Sequence, residues 1–220
     1  MGQLEVPAAV PAIHRARVRL FIDYWNLQLT LNEREARANG TDPRTERFAI
    51  DFIRFPKVLV QQAEDLLNAP CAYEGTIVYT SHDNTAEGRK YRNWATNWLD
   101  RQVGVQVQCF ERRTKHPPKC NHCHDTIKNC PHCKQALSGT VEKGVDTAIV
   151  TDMIRLAWEK AYDVGILVSS DADLVPAVQF LDSRSLRIIQ AGFPPKGSDL
   201  AKASWGSIDL FASKEQYRRT

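Results

Sequence analysis

The fold of this 220-residue chain is indicated most clearly by the segment Val164-Gly-Ile-Leu-Val-Ser-Ser-Asp-Ala-Asp-Leu-Val-Pro176. Its first part, residues 164–169, is almost wholly apolar, which is typical of a central parallel strand buried on both faces. Asp171 and Asp173 follow directly, and Pro176 fits the opening turns of a helix. The stretch therefore predicts a buried strand whose carboxyl end presents acidic side chains.

Strands and helices are predicted to alternate on both sides of this stretch. Further strands are expected at residues 18–22, 75–80, 103–110 and 208–211, with an outer strand at 186–191. Helices are expected at residues 27–38, 52–67, 87–102, 145–161 and 172–181. Because parallel strands need crossover connections of helix length, the order predicts an α/β fold with a doubly wound parallel sheet flanked by helices. Ligands of such sheets bind beyond the carboxyl ends of the strands.

The alternation is interrupted once, and this divides the chain into segments. Residues 1–16 lack periodicity and indicate a flexible N-terminal arm, and residues 17–211 form the predicted domain. Residues 112–142, rich in Lys, His, Pro and Cys, indicate an inserted module, and residues 212–220 form a C-terminal tail. One core is expected for a chain of this length.

Composition favours a cytoplasmic protein that makes no membrane contact. No stretch approaches the roughly 20 apolar residues that a membrane helix needs, and the N-terminus lacks the apolar core of a signal peptide. The net charge of +3 is too small to indicate a nucleic-acid binder by itself. The cysteines, four of them in Cys-x-x-Cys pairs, suit a reducing compartment.

Aspartates far apart in the sequence recur where a strand ends or a helix begins. Asp23 ends the first strand, Asp146 opens the helix from residue 145, and Asp171 and Asp173 follow the central strand. Carboxylates gathered at the carboxyl ends of parallel strands repel one another unless a divalent cation lies between them. The pattern predicts bound Mg²⁺ or Mn²⁺ and metal-dependent phosphodiester chemistry.

Each aspartate also has a purely structural interpretation. Asp23 can be the N-cap of the next helix, a role for which Asn26 competes. A capping box around Ser169 or Ser170 explains one of the two later aspartates but explains both less easily. Asp146 can be a first-turn acid at a helix N-terminus.

Helical periodicity gives a second argument for Asp146. At about 100° per residue, Asp146 shares one stripe with Val150, Met153 and Ala157, so its carboxylate is predicted at the centre of the apolar face. A charge there is costly unless it is paired or bound to metal. The same geometry puts Asp152 at the edge of the apolar arc, in solvent or behind the site.

Three segments in this order resemble the signatures of NYN domains, the LabA-like branch of the PIN-like nuclease superfamily. They are Phe21-Ile-Asp23-x-x-Asn26, Lys143-Gly-x-Asp146 and Ser170-Asp171-x-Asp173-Leu-x-Pro176. The resemblance covers residues 17–193 without the cysteine insert. It implies a PIN-like parallel sheet, an acidic pocket for Mg²⁺ or Mn²⁺, and ribonuclease activity.

Carried over by position, the resemblance assigns roles to individual residues. Asp23, Asp146, Asp171 and Asp173 become the catalytic metal-binding acids, and Asn26 a catalytic partner that orients phosphate or water. Asp152 matches a frequent family acid and is a further candidate metal ligand. Tyr24 and Trp25 stand where the family often has a small residue, which either narrows the pocket or offers a surface for stacking a base.

The insert carries a set of four cysteines, Cys120, Cys123, Cys130 and Cys133. Two Cys-x-x-Cys pairs so close together predict a structural Cys₄ zinc knuckle that needs its metal to fold. Neighbouring histidines are alternative ligands, and iron is an alternative metal. The knuckle either staples a long loop or also contacts nucleic acid through its lysines.

Basic and aromatic residues around these segments are candidates for binding nucleic acid. The candidates are Trp25, Arg89, Lys90, Arg92, Arg113, Lys115, Lys119, Lys143 and Ser170. On the predicted helix 87–102, Trp98 is expected in the core, whereas Trp94 is compatible with either the core or an exposed stacking surface.

The residues and the resemblance together predict a metal-dependent endoribonuclease. RNA, single-stranded or structured, is favoured over DNA as the partner, and family analogy makes a homodimer plausible. One alternative is a catalytically weak RNA-binding or scaffold protein that retains the acidic pocket. A phosphatase or phosphotransferase with an Asp nucleophile is weaker, because the chain has no Gly-x-x-x-x-Gly-Lys phosphate loop.

Overall fold

The computed structural model describes residues 15–220. The predicted N-terminal arm therefore lies almost entirely outside the described residues. Within the described part, no helix is long and apolar enough to cross a membrane.

A six-stranded parallel sheet forms the centre of the protein. The strands among residues 15–220 are β1 (Ala16–Asp23), β2 (Cys71–His82), β3 (Val105–Glu111), β4 (Arg113–Lys115), β5 (Gly139–Val141), β6 (Val164–Val168), β7 (Arg187–Gly192) and β8 (Gly206–Asp209). The sheet order is β3-β2-β1-β6-β7-β8, and β4 and β5 pair separately as an antiparallel hairpin. This arrangement confirms the predicted α/β parallel sheet. The chain winds outward in opposite directions from β1 and β6, so the topological switch point lies between these two strands.

In the described part of the chain, α-helices cover the two faces of the sheet. They are α1 (Tyr24–Asn39), α2 (Phe55–Leu67), α3 (Ala86–Asn97), α4 (Val145–Trp158), α5 (Val175–Ser183) and α6 (Ser198–Ala203). Helix α1 begins three residues earlier than expected because Asp23, not Asn26, is its N-cap. It ends as predicted before Gly40, whose φ of 68° lies in the left-handed region that glycine adopts without strain.

Two apolar layers hold the helices on the sheet. On one face Leu27 and Leu31 of α1 pack with Leu59 of α2. On the other face Met153 of α4 packs with Val178 of α5. Every residue of β6 is buried, as expected of a central strand that contacts both layers.

The outer edge of the sheet differs from the expectation. The strand predicted at residues 186–191 is present as β7, but its predicted outer position is wrong. β7 pairs with β6 on one side and with β8 on the other. The edge is β8, a strand of four residues whose apolar content is too low to show its place in the order.

The C-terminal tail, residues 212–220, packs against the domain. Tyr217 is fully buried, its ring centroid lies 4.8 Å from that of Phe55, and its hydroxyl donates to the Leu210 carbonyl at 2.6 Å. Lys214 and Arg218 both pair with the buried carboxylate of Glu35. The tail is therefore part of the core layer under α1 and α2.

Candidate active site

Asp23 lies at the switch point, at the carboxyl end of β1, and is 5% exposed. Its Oδ1 accepts the backbone N–H of Asn26 at 3.3 Å, which caps α1. Its Oδ2 accepts the Ser169 hydroxyl from the end of β6 at 3.2 Å. The residue is thus both a helix cap and part of the crevice between β1 and β6.

Hydrogen bonds of Asn26 and of the two serines after β6 hold the segment after β6 in position at the crevice. The Ser170 N–H donates to Asn26 Oδ1 at 3.0 Å, and the Asp171 N–H donates to Ser169 Oγ at 3.1 Å. The Ser170 hydroxyl is buried and has no hydrogen-bond partner among residues 15–220. A buried polar atom of this kind, beside a cluster of acids, is typical of a site shaped for a ligand.

Asp171 and Asp173 lie together just beyond β6. The Asp173 N–H donates to Asp171 Oδ1 at 2.9 Å, so Asp171 caps the short 3₁₀ turn Ala172–Leu174. Asp171 is half-buried and Asp173 is exposed. The predicted capping box around Ser169 or Ser170 is therefore wrong, because Asp171 itself is the cap. Asp173 presents its carboxylate to solvent next to it.

The prediction that Asp146 lies at the centre of the apolar face of α4 is wrong. The buried acid of this helix is Asp152. Asp146 is exposed in the first turn of α4, not on its apolar face. The acid on the buried face is Asp152, which is 7% exposed. It accepts the Tyr79 hydroxyl at 3.0 Å and bonds from Gln108 and Arg155. These hydrogen bonds offset the cost of burying its charge.

Proton affinities show that the acids act on one another. Burial raises the pKa of Asp23 to about 7; the Glu142 and Asp146 charges add to the rise, while the Asn26 N–H and the Ser169 hydroxyl oppose it. Although Asp146 is exposed as a residue, partial burial of its carboxyl is the largest cause of its raised pKa, followed by the charges of Asp171, Glu142 and Asp173. Asp23, Asp146, Asp171 and Asp173 therefore share one electrostatic neighbourhood.

Glu142 is a site residue that the sequence reasoning missed. Its carboxylate accepts the Ser81 hydroxyl from the end of β2, and Arg112 Nη2 lies 4.0 Å away. The available signal was its position four residues before Asp146, at the end of the insert. The insert thus returns to the domain by adding an acid to the site.

The acids do not form a closed metal cage. Across residues 15–220, no three His, Cys, Asp or Glu side chains are grouped closely enough to hold a metal ion. This finding applies to the carboxylates and to the four cysteines of the insert alike.

Trp25 lies beside the acids and is half-buried. Its Nε1–H donates to the Ser81 carbonyl at 2.7 Å, and the Arg112 guanidinium lies over its ring at 5.3 Å.

Of the other predicted nucleic-acid contacts, Ser170 is buried, and the remainder are exposed: Arg89, Lys90, Arg92, Arg113, Lys115, Lys119 and Lys143. Trp94 and Trp98 are both half-buried and stack with their centroids 5.8 Å apart.

The insert consists of the β4–β5 hairpin and two turns of nearly identical geometry. The His124 N–H donates to the Cys120 carbonyl at 2.9 Å, and ten residues later the Lys134 N–H donates to the Cys130 carbonyl at 3.0 Å. His124 and Lys134 have φ values of 61° and 60°. Backbone amides of the following residues lower the pKa of the Cys120 and Cys130 thiols.

The parallel sheet, with acidic side chains at the carboxyl ends of its strands, is an α/β fold of the PIN-like class. The family model for the NYN domain matches residues 17–210. The chain therefore belongs to the NYN domain family, as the three sequence segments indicated.

Among the proteins similar to this chain are one from Sinorhizobium fredii and one from Vibrio parahaemolyticus. The uncharacterized protein y4oD of Sinorhizobium fredii is 40% identical over 58 residues, and the match spans about a quarter of each protein, 26% of this chain and 27% of the relative. A crystal structure of a protein of unknown function from Vibrio parahaemolyticus has a TM-score of 0.58 at 17% identity, covering 96% of this chain and 100% of the other. The second likeness concerns the fold alone.

Proposed function

We propose that this chain is a metal-dependent endoribonuclease that hydrolyses phosphodiester bonds in single-stranded or structured RNA. One observation carries the proposal: at the switch point of the sheet Asp23 is 5% exposed, and burial first, then the charges of Glu142 and Asp146, raise its pKa to about 7. A fold that keeps mutually repelling acids at its ligand-binding edge incurs a cost that a bound cation relieves.

The donor atoms of these residues are carboxylate and hydroxyl oxygens, the kind that Mg²⁺ and Mn²⁺ prefer. We assign the cation to Asp23, Asp146, Asp171 and Asp173. We do not assign Asp152 to it, because its carboxylate already accepts bonds from three side chains; Asp152 instead ties α4 to the sheet. When bound, the metal supplies a water of lowered pKa and neutralises charge on the phosphate.

The protein's own side chains hold this arrangement in place. The Ser169 hydroxyl and the Asn26 N–H fix the two oxygens of Asp23 in orientation. The Asn26 side chain holds the loop that carries Asp171 through the Ser170 N–H. Arg112, between Glu142 and Trp25, is placed to contact a phosphate oxygen of the substrate.

We propose further that the insert binds one structural Zn²⁺ through Cys120, Cys123, Cys130 and Cys133. Two equivalent turns whose amides lower the pKa of the first thiol favour the thiolate forms that zinc requires. The basic residues Arg113, Lys115 and Lys119 on and beside the hairpin then face the solvent where RNA can meet them.

Cleavage of end-labelled RNA and DNA tests the proposed activity. The wild type is compared with Asp171→Asn and with Asp182→Asn, a matched change of an exposed aspartate on α5. We expect the wild type and Asp182→Asn to cut RNA internally with Mg²⁺ or Mn²⁺ and to stop in EDTA. Asp171→Asn should lose about 100-fold or more in rate.

Two results would reject this activity. If all three proteins bind RNA tightly but none cuts it, the chain is a binding or scaffold protein that retains acidic residues. If cleavage persists in Asp171→Asn at the wild-type rate, it comes from another site or a contaminant.

A further inference from the structure

A cavity of about 760 Å³ lies beside the acidic site, between α1, the loop of residues 43–50 and α3. Tyr24 and Trp25, the two residues that follow Asp23 in the chain, line it. Its volume falls within the roughly 300–1,000 Å³ typical of ligand pockets. We call it the aromatic cavity.

Packed aromatic rings form the walls of the aromatic cavity. The Tyr24 ring lies 5.3 Å from Tyr91 and 5.9 Å from Trp94, and Phe52 lies 6.1 Å from Trp94. Tyr91 and Trp94 are half-buried, so part of each ring remains open to a ligand. Leu29, 57% exposed, adds an apolar surface from α1.

The charge around the aromatic cavity is positive. Three exposed arginines, Arg44, Arg47 and Arg219, line it. Among the described residues the one acid that lines it is Glu33, which is paired with Arg37 at 3.3 Å. Open aromatic faces within a ring of guanidinium groups match stacked bases joined by phosphates.

The aromatic cavity shares two of its aromatic residues with a second hollow, which extends to Arg112. This smaller hollow of about 220 Å³ shares Trp25 and Tyr91 with it and is lined by Arg112 on its other side. The Trp25 and Tyr91 centroids lie 4.9 Å apart and separate the two spaces. Arg112 in turn lies beside Glu142, one of the clustered acids.

We propose that the aromatic cavity binds unpaired nucleotides of a single-stranded nucleic acid, next to the bond presented to the acidic site. Bases must leave a duplex stack before they can stack on Tyr91 and Trp94, so the cavity selects single strands. The position relative to the cut bond rests on the proposed function, whereas the binding itself does not.

Binding without turnover tests this proposal. Full-length protein carrying Asp171→Asn, in EDTA, is titrated into fluorescein-labelled single-stranded RNA, single-stranded DNA and an RNA hairpin, and anisotropy is recorded. Leu29→Glu places a negative charge in the aromatic cavity without removing a buried side chain, and Leu66→Glu is its control on α2 at 44% exposure. Arg44→Gln with Arg47→Gln removes two rim charges, and Lys160→Gln with Arg184→Gln removes two from the opposite face of the sheet.

We expect Leu29→Glu and the rim double variant to weaken single-strand binding at least tenfold, with both controls unchanged and the hairpin bound more weakly. The rim variant should also reduce the slope of log affinity against log salt by up to about 1.4, at about 0.7 per lost phosphate contact. Equal affinities for Leu29→Glu and Leu66→Glu, or a hairpin bound as tightly as the single strand, would overturn the proposal. Absence of cleavage by the wild type rejects the nuclease and leaves this binding result standing.

Discussion

Asp23 shows how one residue serves both the fold and the site. As the cap of α1 it satisfies an N–H that the helix leaves unpaired. As the acid at the end of β1 it meets Ser169 from β6 across the switch point. The structural and functional interpretations of this aspartate are therefore both correct, and they follow from the same strand-to-helix turn.

The raised pKa of Asp23 makes metal-free stability depend on pH. Because the folded form binds this proton up to a pH of about 7 and an unfolded aspartate releases it near 4, stability should fall as the pH rises between these values. Asp23→Asn should therefore be more stable than the wild type at pH 8 in EDTA by at least about 1 kcal/mol. The two proteins should unfold alike at pH 4, as measured by urea denaturation. A variant less stable than the wild type at pH 8 would contradict the argument.

Asn26 is predicted to act through the loop that follows β6. Asn26→Ala removes the acceptor of the Ser170 N–H and should cost about 1–3 kcal/mol of stability. Thermal unfolding measures the loss, and Asn93→Ala, an exposed change on α3, should have little effect. If both variants unfold at the wild-type temperature, the Asn26 hydrogen bond does not hold this loop.

For single residues, the sequence predicted which acids lie near strand and helix ends, but not which side chains contact them. Helix α4 carries apolar residues on two adjacent stripes. The stripe that is buried includes Ile149, Asp152 and Leu156, not Asp146. The acid that is buried, Asp152, is held by Tyr79 and Gln108 from distant strands. Such contacts are long-range, so helical periodicity could not reveal them. Glu142 was missed for the same reason.

At the scale of elements, the insert is the segment for which we propose a structural metal. It joins the domain through the short β4–β5 hairpin, while its two cysteine turns are stabilised by local backbone bonds. Small loops of this kind gain little stability from burial and need a metal to stay ordered. The composition of residues 112–142 predicted the insert, but not that its end would supply Glu142.

Zinc content tests this view of the insert. The purified wild type and Cys109→Ser, a cysteine of β3 outside the insert, should each hold about one zinc per chain by elemental analysis. Cys130→Ser should lose the zinc and become sensitive to proteases within residues 116–138, with little change in the melting temperature of the sheet. Equal zinc in Cys109→Ser and Cys130→Ser would refute the Cys₄ assignment.

For the whole molecule, the parallel pairing of the strands follows from the sequence because each parallel pair needs a helical crossover, whereas the order of the strands does not follow from it. The predicted strands and helices therefore indicated the doubly wound sheet. A cap or a proline fixes the starts of α1 and α2, and the bounds differ most where β2 begins earlier and α3 ends earlier than expected. The packing of the C-terminal tail was not predictable, because its nine residues carry few apolar side chains. A single ring, Tyr217, anchors it.

Tyr217→Ala should therefore destabilise the whole domain. Removing a fully buried aromatic ring typically costs about 3–5 kcal/mol, here with loss of the bond to Leu210. Phe180→Ala, a ring that is 40% exposed, should cost much less. Urea unfolding of both variants measures the difference, and equal losses would show that the tail is not part of the core.

The most direct measurement for the central claim is the single-turnover rate of cleavage of one labelled single-stranded RNA in Mn²⁺. We predict that Asp23→Asn, although more stable than the wild type without metal, cuts at least about 100-fold more slowly, while Asp182→Asn keeps the wild-type rate. A folded Asp23→Asn protein that cuts as fast as the wild type would contradict the assignment of the acidic site as the place where the phosphodiester bond is broken.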